Sequence, residues 1–279
     1  MKIHKYILTR FNLKLWQTDK NSHNTQTDEW LEQRFQLFEQ FTLPSVQNQT
    51  DKVFKWIVLF SSDTPIKYKS RIDDIRSICP QFRAIGVAPE QSANFGQIFK
   101  EVVENDFDDK AEGIVSTTYL DNDDALSVHY METIQNIISD KYREIVAQPT
   151  FINFRFGCQY FTEQKIASKT YYKRNHFITL AEPLGNNSIK TVYGYGSHYY
   201  IGKHNGIRQI VEKKTDMWLE VIHEKNVIND VRMSIHTRII GSEMLLRTFG
   251  VTAETKGYTF SSFLNLLKMK IWQKIKMLA

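Results

Sequence analysis

The sequence predicts an α/β protein: a mixed, mostly parallel sheet flanked by helices, Rossmann-like in its alternation, with a C-terminal helical extension. Three observations predict it. Apolar runs of strand length alternate with helix-period segments through the first half of the chain. The most continuous apolar run, Phe54 to Phe60, is broken only by Lys55 near its start, as in a strand covered on both faces. A further strand-like segment runs straight into the acidic cluster Asp121-Asn122-Asp123-Asp124, and the carboxyl edge of an open α/β sheet is where ligands bind.

Tyr6-Ile7-Leu8-Thr9 is a short apolar run ending in Arg10-Phe11-Asn12, as a buried strand ends in a loop. Thr27 and Asp28 offer an N-cap, and Leu31, Phe35 and Phe38 recur at the i, i+4, i+7 spacing of a helix face, which Pro44 is expected to end. Phe54–Phe60, bounded by Ser61-Ser62-Asp63-Thr64-Pro65, is the second strand. A helix over Tyr68–Ile78, a short strand over Phe82–Val87 and a helix over Phe95–Val103 follow, and this order argues for parallel strands joined by crossovers. Ile114–Leu120 is rich in β-branched and aromatic residues and leads into the acidic cluster. A helix is expected from Ala125 to Ile138, with Leu126, Tyr130, Ile134 and Ile137 or Ile138 on one face. Beyond it, Phe151–Phe156, His176–Leu180 and His198–Ile201 read as strands, Gly185-Asn186-Asn187 and Gly194-Tyr195-Gly196 as turns, and Trp218–His223 as helix.

Composition narrows the function. Apolar residues at 42% and charged residues at 24% exclude a disordered or fibrous chain. A net charge of +5 favours anionic partners without naming one. The basic residues are dispersed apart from the tail, where nucleic-acid binding would concentrate them with aromatic platforms, so no nucleic-acid partner is expected. Cys79 and Cys158 give neither metal spacing nor a disulfide framework and read as packing residues of a reducing compartment. The N-terminus turns polar before it could form a signal peptide, and no apolar stretch reaches the ~18 to 20 residues that span a bilayer, so a cytoplasmic location is expected. In the tail, Leu264, Leu267, Ile271, Ile275 and Leu278 form one helical stripe, flanked by Lys268 and Lys274, with Lys270, Lys276 and Trp272 further round. Two readings stand: a basic amphipathic helix on an anionic membrane surface, or a last helix packed on the domain.

The acidic cluster carries the chemistry. Three Asp within four residues at the end of an apolar strand repel one another, and a cation resolves that repulsion. Hard divalent cations take carboxylate oxygens from protein and complete their shell with phosphate and water. An Asp-x-Asp turn on a strand end suits Mn2+ or Mg2+ facing a nucleoside diphosphate: one carboxylate binds the metal while its neighbour holds ribose or metal-bound water. A turn role, bonding nearby backbone amides, is the ordinary alternative. A calcium loop, with Asp121, Asp123 and Glu132 at its first, third and twelfth positions, is discounted because Leu126 replaces the turn glycine, Ala125 occupies a ligand position and a strand precedes it.

Thr9-Arg10-Phe11-Asn12, Arg34, Phe38-Glu39, Thr42-Leu43-Pro44-Ser45, Gln49, Phe54–Phe60, Thr64-Pro65 and Leu120-Asp121-Asn122-Asp123-Asp124-Ala125-Leu126 together resemble the rhamnosyltransferase family of GT-A glycosyltransferases. The resemblance covers the first half well, the LDNDDAL segment being its most specific part. It implies a GT-A fold, a nucleotide-diphosphate-sugar donor, and a divalent cation held through Asp121 and Asp123. It also implies a role in building a surface glycan. A glycan or lipid-linked acceptor is expected, and a lipid-linked one would suit the membrane reading of the tail and a place at the inner face of the cell membrane. Residues 1–148 are then the nucleotide-sugar-binding half, 149–255 the acceptor-binding half, and 256–279 the basic helix. One departure stands out: where the family is expected to carry Arg just before Leu-Asp, this chain has Tyr119.

Further candidates follow from position. Thr9 and Arg10 end the first strand beside the expected nucleotide, and Arg can clamp phosphate. Ser62 and Asp63 follow the second strand and would read base or ribose, or simply make a turn. Asp121 and Asp124 join the donor-binding set. GT-A enzymes often use a histidine as third metal ligand, for which His198 ranks ahead of His223 and His236. For an inverting reaction, a carboxylate must take the acceptor's proton: Glu182 is the first choice, with Asp216 and Glu220 in reserve. A non-catalytic nucleotide- or carbohydrate-binding protein would share this fold without turnover.

Overall fold

A computed structural model describes residues 2–15, 24–25, 27–107, 112–185, 188–196, 198, 207–223 and 230–278, the side chains of 276–278 excepted. In the first half, β1 (Ile3–Arg10), β2 (Lys55–Ser61), β3 (Phe82–Val87) and β4 (Gly113–Tyr119) alternate with α1 (Asp28–Leu37), α2 (Leu43–Gln47), α3 (Ile66–Ile78) and α4 (Phe95–Glu104). β3, β2, β1 and β4 lie side by side and all parallel, as strands joined by helical crossovers do. Apolar side chains alternate between the two faces. Ile7, Trp56, Val58 and Phe60 face α1 and α3, packing with Phe35, Tyr68 and Ile72. Tyr6, Leu8, Ile57 and Leu59 face α4, packing with Phe99 and Val103. Both faces of β1 and β2 are covered, which is why Tyr6–Leu8 and Trp56–Phe60 read as unbroken apolar runs.

After β4 come β5 (Ala125–Leu126), α5 (Tyr130–Asp140) and α6 (Tyr142–Ala147). Then β6 (Thr150–Phe161), β7 (Ile166–Tyr171), β8 (Ile178–Leu184), β9 (Arg208–Ile222) and β10 (Arg238–Ile240) extend the same sheet, and α7 (Ser242–Phe249) and α8 (Phe260–Leu278) close the chain. The order is β10-β7-β6-β8-β4-β1-β2-β3, with β9 paired to β6 and β5. β8 runs antiparallel to β4, so the sheet is continuous across residue 148.

Several elements differ from the sequence reading. Pro44 does not end the helix: a π-helical turn over Phe38–Thr42 carries the chain into α2, where proline sits in the first turn and its missing N–H costs nothing. The helix expected from Ala125 begins at Tyr130, because Ala125 and Leu126 pair with Leu219 and Trp218 of β9. Leu126 is buried by that pairing, and the helical face is Tyr130, Met131, Ile134 and Ile138. Trp218–His223 is not helical: the end of β9 is covered on both faces, which erases the period-two signal. β7 and β10 had no counterpart in the reading, and of the strand expected over His198–Ile201 only His198 is described, in a short helical turn, residues 199–201 lying outside the described set.

The end of β9 is locked by one close approach. Trp218 lies over Gly157, where an added Cβ would stand 2.1 Å from the indole. Its Nε1 donates to the carbonyl of Phe154 at 2.9 Å, and its ring stacks on Phe177 at 5.2 Å.

Candidate active site

The carboxyl ends of β1 and β4 are adjacent, and the loops leaving them are clipped together. Asn122 Nδ2 donates to the carbonyl of Phe11 at 2.6 Å, so its side chain fixes the turn rather than facing a ligand. This clip spreads the three carboxylates into different surroundings.

Asp123 turns toward α1. Its Oδ2 accepts from Arg34 Nη1 at 2.6 Å and lies 3.0 Å from His223 Nε2. The same Arg34 nitrogen reaches Asn122 Oδ1 at 3.2 Å, and the guanidinium lies over the Trp30 ring. Burial works against the charge of Asp123, but Arg34 and His223 outweigh it and hold the carboxyl well below the ordinary carboxylate range.

Asp124 turns the other way, toward β8 and β9. Its Oδ1 accepts from the backbone N–H of Val221 at 2.8 Å, and its Oδ2 lies 2.8 Å from His176 Nε2. Burial, reinforced by repulsion from Asp123 and Asp121, pushes this carboxyl up to about 7 against the pull of His176. Burial opposes charge on His176 as well, yet its bond to Asp124 and the charges of Asp124 and Asp121 raise it.

Asp121 is the open member. Its side chain is 34% exposed against 5% for Asp124. Its Oδ1 accepts from the Tyr119 hydroxyl at 3.0 Å and from Arg10 Nη2 at 3.4 Å, and its Oδ2 lies 3.7 Å from His176. Arg10 also donates to the Tyr119 hydroxyl at 2.5 Å, and its guanidinium is framed by the rings of Phe95, Tyr119 and Tyr193 at 4.8, 5.5 and 5.6 Å. Thus β1 supplies a cation beside Tyr119, the position where the resemblance leads one to expect arginine. A cavity of about 260 Å3 opens here, lined by Arg10, Phe95, Tyr119, Tyr193 and His198.

Asp121, Asp124 and His176 each offer a ligand atom, all within 4.8 Å of one another. Two carboxylate oxygens and an imidazole nitrogen are a donor set for a divalent cation, with the open side at Asp121 left for phosphate or water. Asp123 lies outside this set because Arg34 already compensates it. His176 was missed as a ligand by the sequence reading, which placed it as the first residue of a strand. It stands just before β8 on a turn fastened by Asn175, whose Nδ2 donates to the carbonyls of Phe154 at 2.9 Å and Tyr172 at 3.0 Å. The only signal was a histidine directly ahead of an apolar strand.

The other expected residues are dispersed. Arg10 is at the site. His198 is beside it, its ring 5.8 Å from that of His176, with burial and His176 lowering it to about 4 and so keeping it neutral. His223 reaches Asp123, whereas His236 packs against the rings of Phe156 and Tyr171. Thr9 is fully buried, its hydroxyl accepting from the Trp56 indole at 2.9 Å, so its side chain does not reach a ligand. Asp63 pairs with Lys14 at 2.7 Å on the surface. Asp216 pairs with Lys169 at 2.6 Å, and Glu220 with Gln159 and Arg232.

Glu182 is not brought to the cluster. It pairs with Val115, six residues before Asp121, which puts it roughly 20 Å down the strand direction. Its buried carboxylate accepts the backbone N–H groups of Lys190 and Thr191 at 3.0 and 2.9 Å. Thr191 is held in the left-handed region, φ 63°, and Val192 N donates to Thr117 Oγ1 at 2.8 Å. Two residues after Thr191, Tyr193 stacks on Phe99 and walls the Arg10 cavity.

The parallel α/β half-sheet thus carries a carboxylate–histidine cluster and a caged arginine at its carboxyl edge, where open α/β sheets bind their ligands. A family model described as "Putative rhamnosyl transferase" matches residues 8–235, most of the chain, and the chain belongs to that family. By that description it belongs with the glycosyltransferases. No curated protein matches it. Among solved structures, S. aureus TarS aligns with a TM-score of 0.43 at 9% identity, over 80% of this chain and 37% of TarS, so the chain spans little more than a third of that protein. A "putative nucleotide-diphospho-sugar transferase" from Desulfovibrio desulfuricans G20 aligns with a TM-score of 0.34 at 15% identity, over 76% of this chain and 82% of that one. At these TM-scores neither carries an argument about this chain.

Proposed function

We propose that the protein transfers a deoxyhexose, rhamnose, from a nucleoside-diphosphate donor to a glycan or lipid-linked acceptor, in the cytoplasm at the inner face of the cell membrane. The observation that carries this reading is the convergence of Asp121, Asp124 and His176 beside the caged Arg10 at the sheet's carboxyl edge. These three residues would hold Mn2+ or Mg2+, and the imidazole favours Mn2+. When bound, the ion neutralises charge on the departing diphosphate. Arg10, always charged and kept in place by three rings and Tyr119, contributes a second cation to the same oxygens.

Asp123 is assigned here to holding α1 against the cluster rather than to the metal. Residues 1–148 supply most of the donor side, and 149–255 the acceptor side together with His176. Glu182, expected as the base, is assigned instead to holding the Lys190–Tyr193 wall of the cavity. No helix among the described residues is long and apolar enough to cross a membrane; the membrane contact proposed here is peripheral.

The test is release of nucleoside diphosphate from UDP-, GDP- and dTDP-sugars with Mn2+, comparing the natural protein with Asp124→Asn and His176→Ala. Donor-specific release that needs the metal and is lost in both variants supports the reading. Donor binding without release under any metal would make the site a non-catalytic nucleotide-binding one.

A further inference from the structure

Helix α8 carries two faces, and the one that docks is not the one the sequence marks as apolar. Ser262, Leu266, Met269 and Gln273 turn inward: Ser262 and Leu266 are buried, and Leu266 and Met269 pack with Phe161, Ile222, Val231 and Ile239 at the ends of the strands. Gln273 Oε1 accepts from Val231 N at 3.0 Å, and its Nε2 donates to Asp230. At 100° per residue, the stripe Phe260, Leu264, Leu267, Ile271 and Ile275 lies about 170° from that docked face. It is accordingly exposed, Phe260 at 76%, Ile271 at 50% and Ile275 at 58%, with Tyr258 and Trp272 beside it at 77% and 61%. The docked bonds prevent the helix from rolling over to hide the stripe.

Charge identifies the occupant. From Thr255 onward the chain contains no Asp or Glu and five lysines, at 256, 268, 270, 274 and 276. Lys268 and Lys274 are exposed on opposite flanks of the stripe. An apolar strip edged by lysines, with aromatic rings at its margin, matches the boundary of an anionic bilayer, where alkyl groups sink among the acyl chains and ammonium groups meet the headgroups.

We propose that the outward face of α8 is a peripheral docking surface for an anionic lipid bilayer. The proposal does not depend on which sugar the enzyme transfers.

The experiment is co-sedimentation of the whole chain with vesicles of phosphatidylcholine mixed with phosphatidylglycerol, and with vesicles of phosphatidylcholine alone. The expected result is binding to the anionic vesicles that falls steeply with salt. The combined variant Leu267→Ser, Ile271→Ser, Ile275→Ser should weaken it at least about tenfold. Lys268→Gln with Lys274→Gln should weaken it by about fivefold per lysine. All five side chains are exposed, so circular dichroism and the thermal midpoint should not change. Absence of binding to anionic vesicles, or binding that neither variant weakens, would overturn the proposal. So would a lipid-free dimer, seen by light scattering, that the serine variant converts to monomer, since the face would then join two copies of the chain.

Discussion

Removing the Arg34 side chain should destabilise the protein by about 2–4 kcal/mol, because it strands a buried carboxylate. The Arg34 and Asp123 side chains are only 12% and 11% exposed, and taking one partner from a buried pair costs about 3–5 kcal/mol. The loss is moderated because His223 lies 3.0 Å from the same oxygen and stays as its hydrogen-bond partner. It is enlarged because Asn122 Oδ1 loses its donor as well. Arg34→Lys keeps the charge but not two donors on one planar group, so about 1–2 kcal/mol should go. The assay is urea unfolding of Arg34→Ala, Asp123→Asn and the double variant, with thermal melts alongside, where 3 kcal/mol corresponds to a drop of roughly 6–12 °C. The double-mutant cycle should return a coupling of about 2 kcal/mol or more. A loss under about 0.5 kcal/mol for Arg34→Ala, or no coupling, would refute the argument that Asp123 is held by Arg34 and return it to the list of metal ligands.

Mn2+ affinity, read by water-proton relaxation, should fall at least about tenfold in His176→Ala and in Asp124→Asn, while Asp123→Asn keeps most of it; the reverse ranking would move the ion toward Asp123 and His223. Gly157→Ala drives a methyl into the Trp218 indole and should cost about 1–3 kcal/mol in chemical unfolding; a neutral result would mean that β6 and the indole can part freely. Glu182→Ala leaves the buried amides of Lys190 and Thr191 without their acceptor and should cost about 1–3 kcal/mol. Burial raises Glu182 above 4.5 despite those two amides. The stability this group adds is therefore complete below pH 4.5 and is lost as pH rises through its folded value. Thermal midpoints of the natural protein should fall relative to Glu182→Gln over that rise, and parallel curves would contradict the burial argument.

The sequence alone determined the parallel half-sheet and the position of the acidic cluster, because both are local signals. Strands covered on two faces show as apolar runs, as Phe54–Phe60 does, and amphipathic crossovers such as Phe95–Val103 show a 3.6-residue period. A carboxylate cluster directly after the β4 segment must emerge at the sheet's carboxyl edge. The second half was less legible because its strands pair across long separations. Trp218–Ile222 is a strand since it pairs with β6 and β5, and nothing in four apolar residues around Glu220 says so. Only the tertiary structure decided which groups the three aspartates meet. Arg34 comes from α1 and His223 from beyond β9 to neutralise Asp123, while His176 arrives from the turn before β8 to face Asp124 and Asp121. Those partners lie between 52 and 100 residues away in the chain, and no spacing rule links them; their convergence follows from strand order. The same reason explains α8: composition gave an amphipathic basic helix, but which face docks was settled by where Gln273 and Leu266 meet the ends of the sheet.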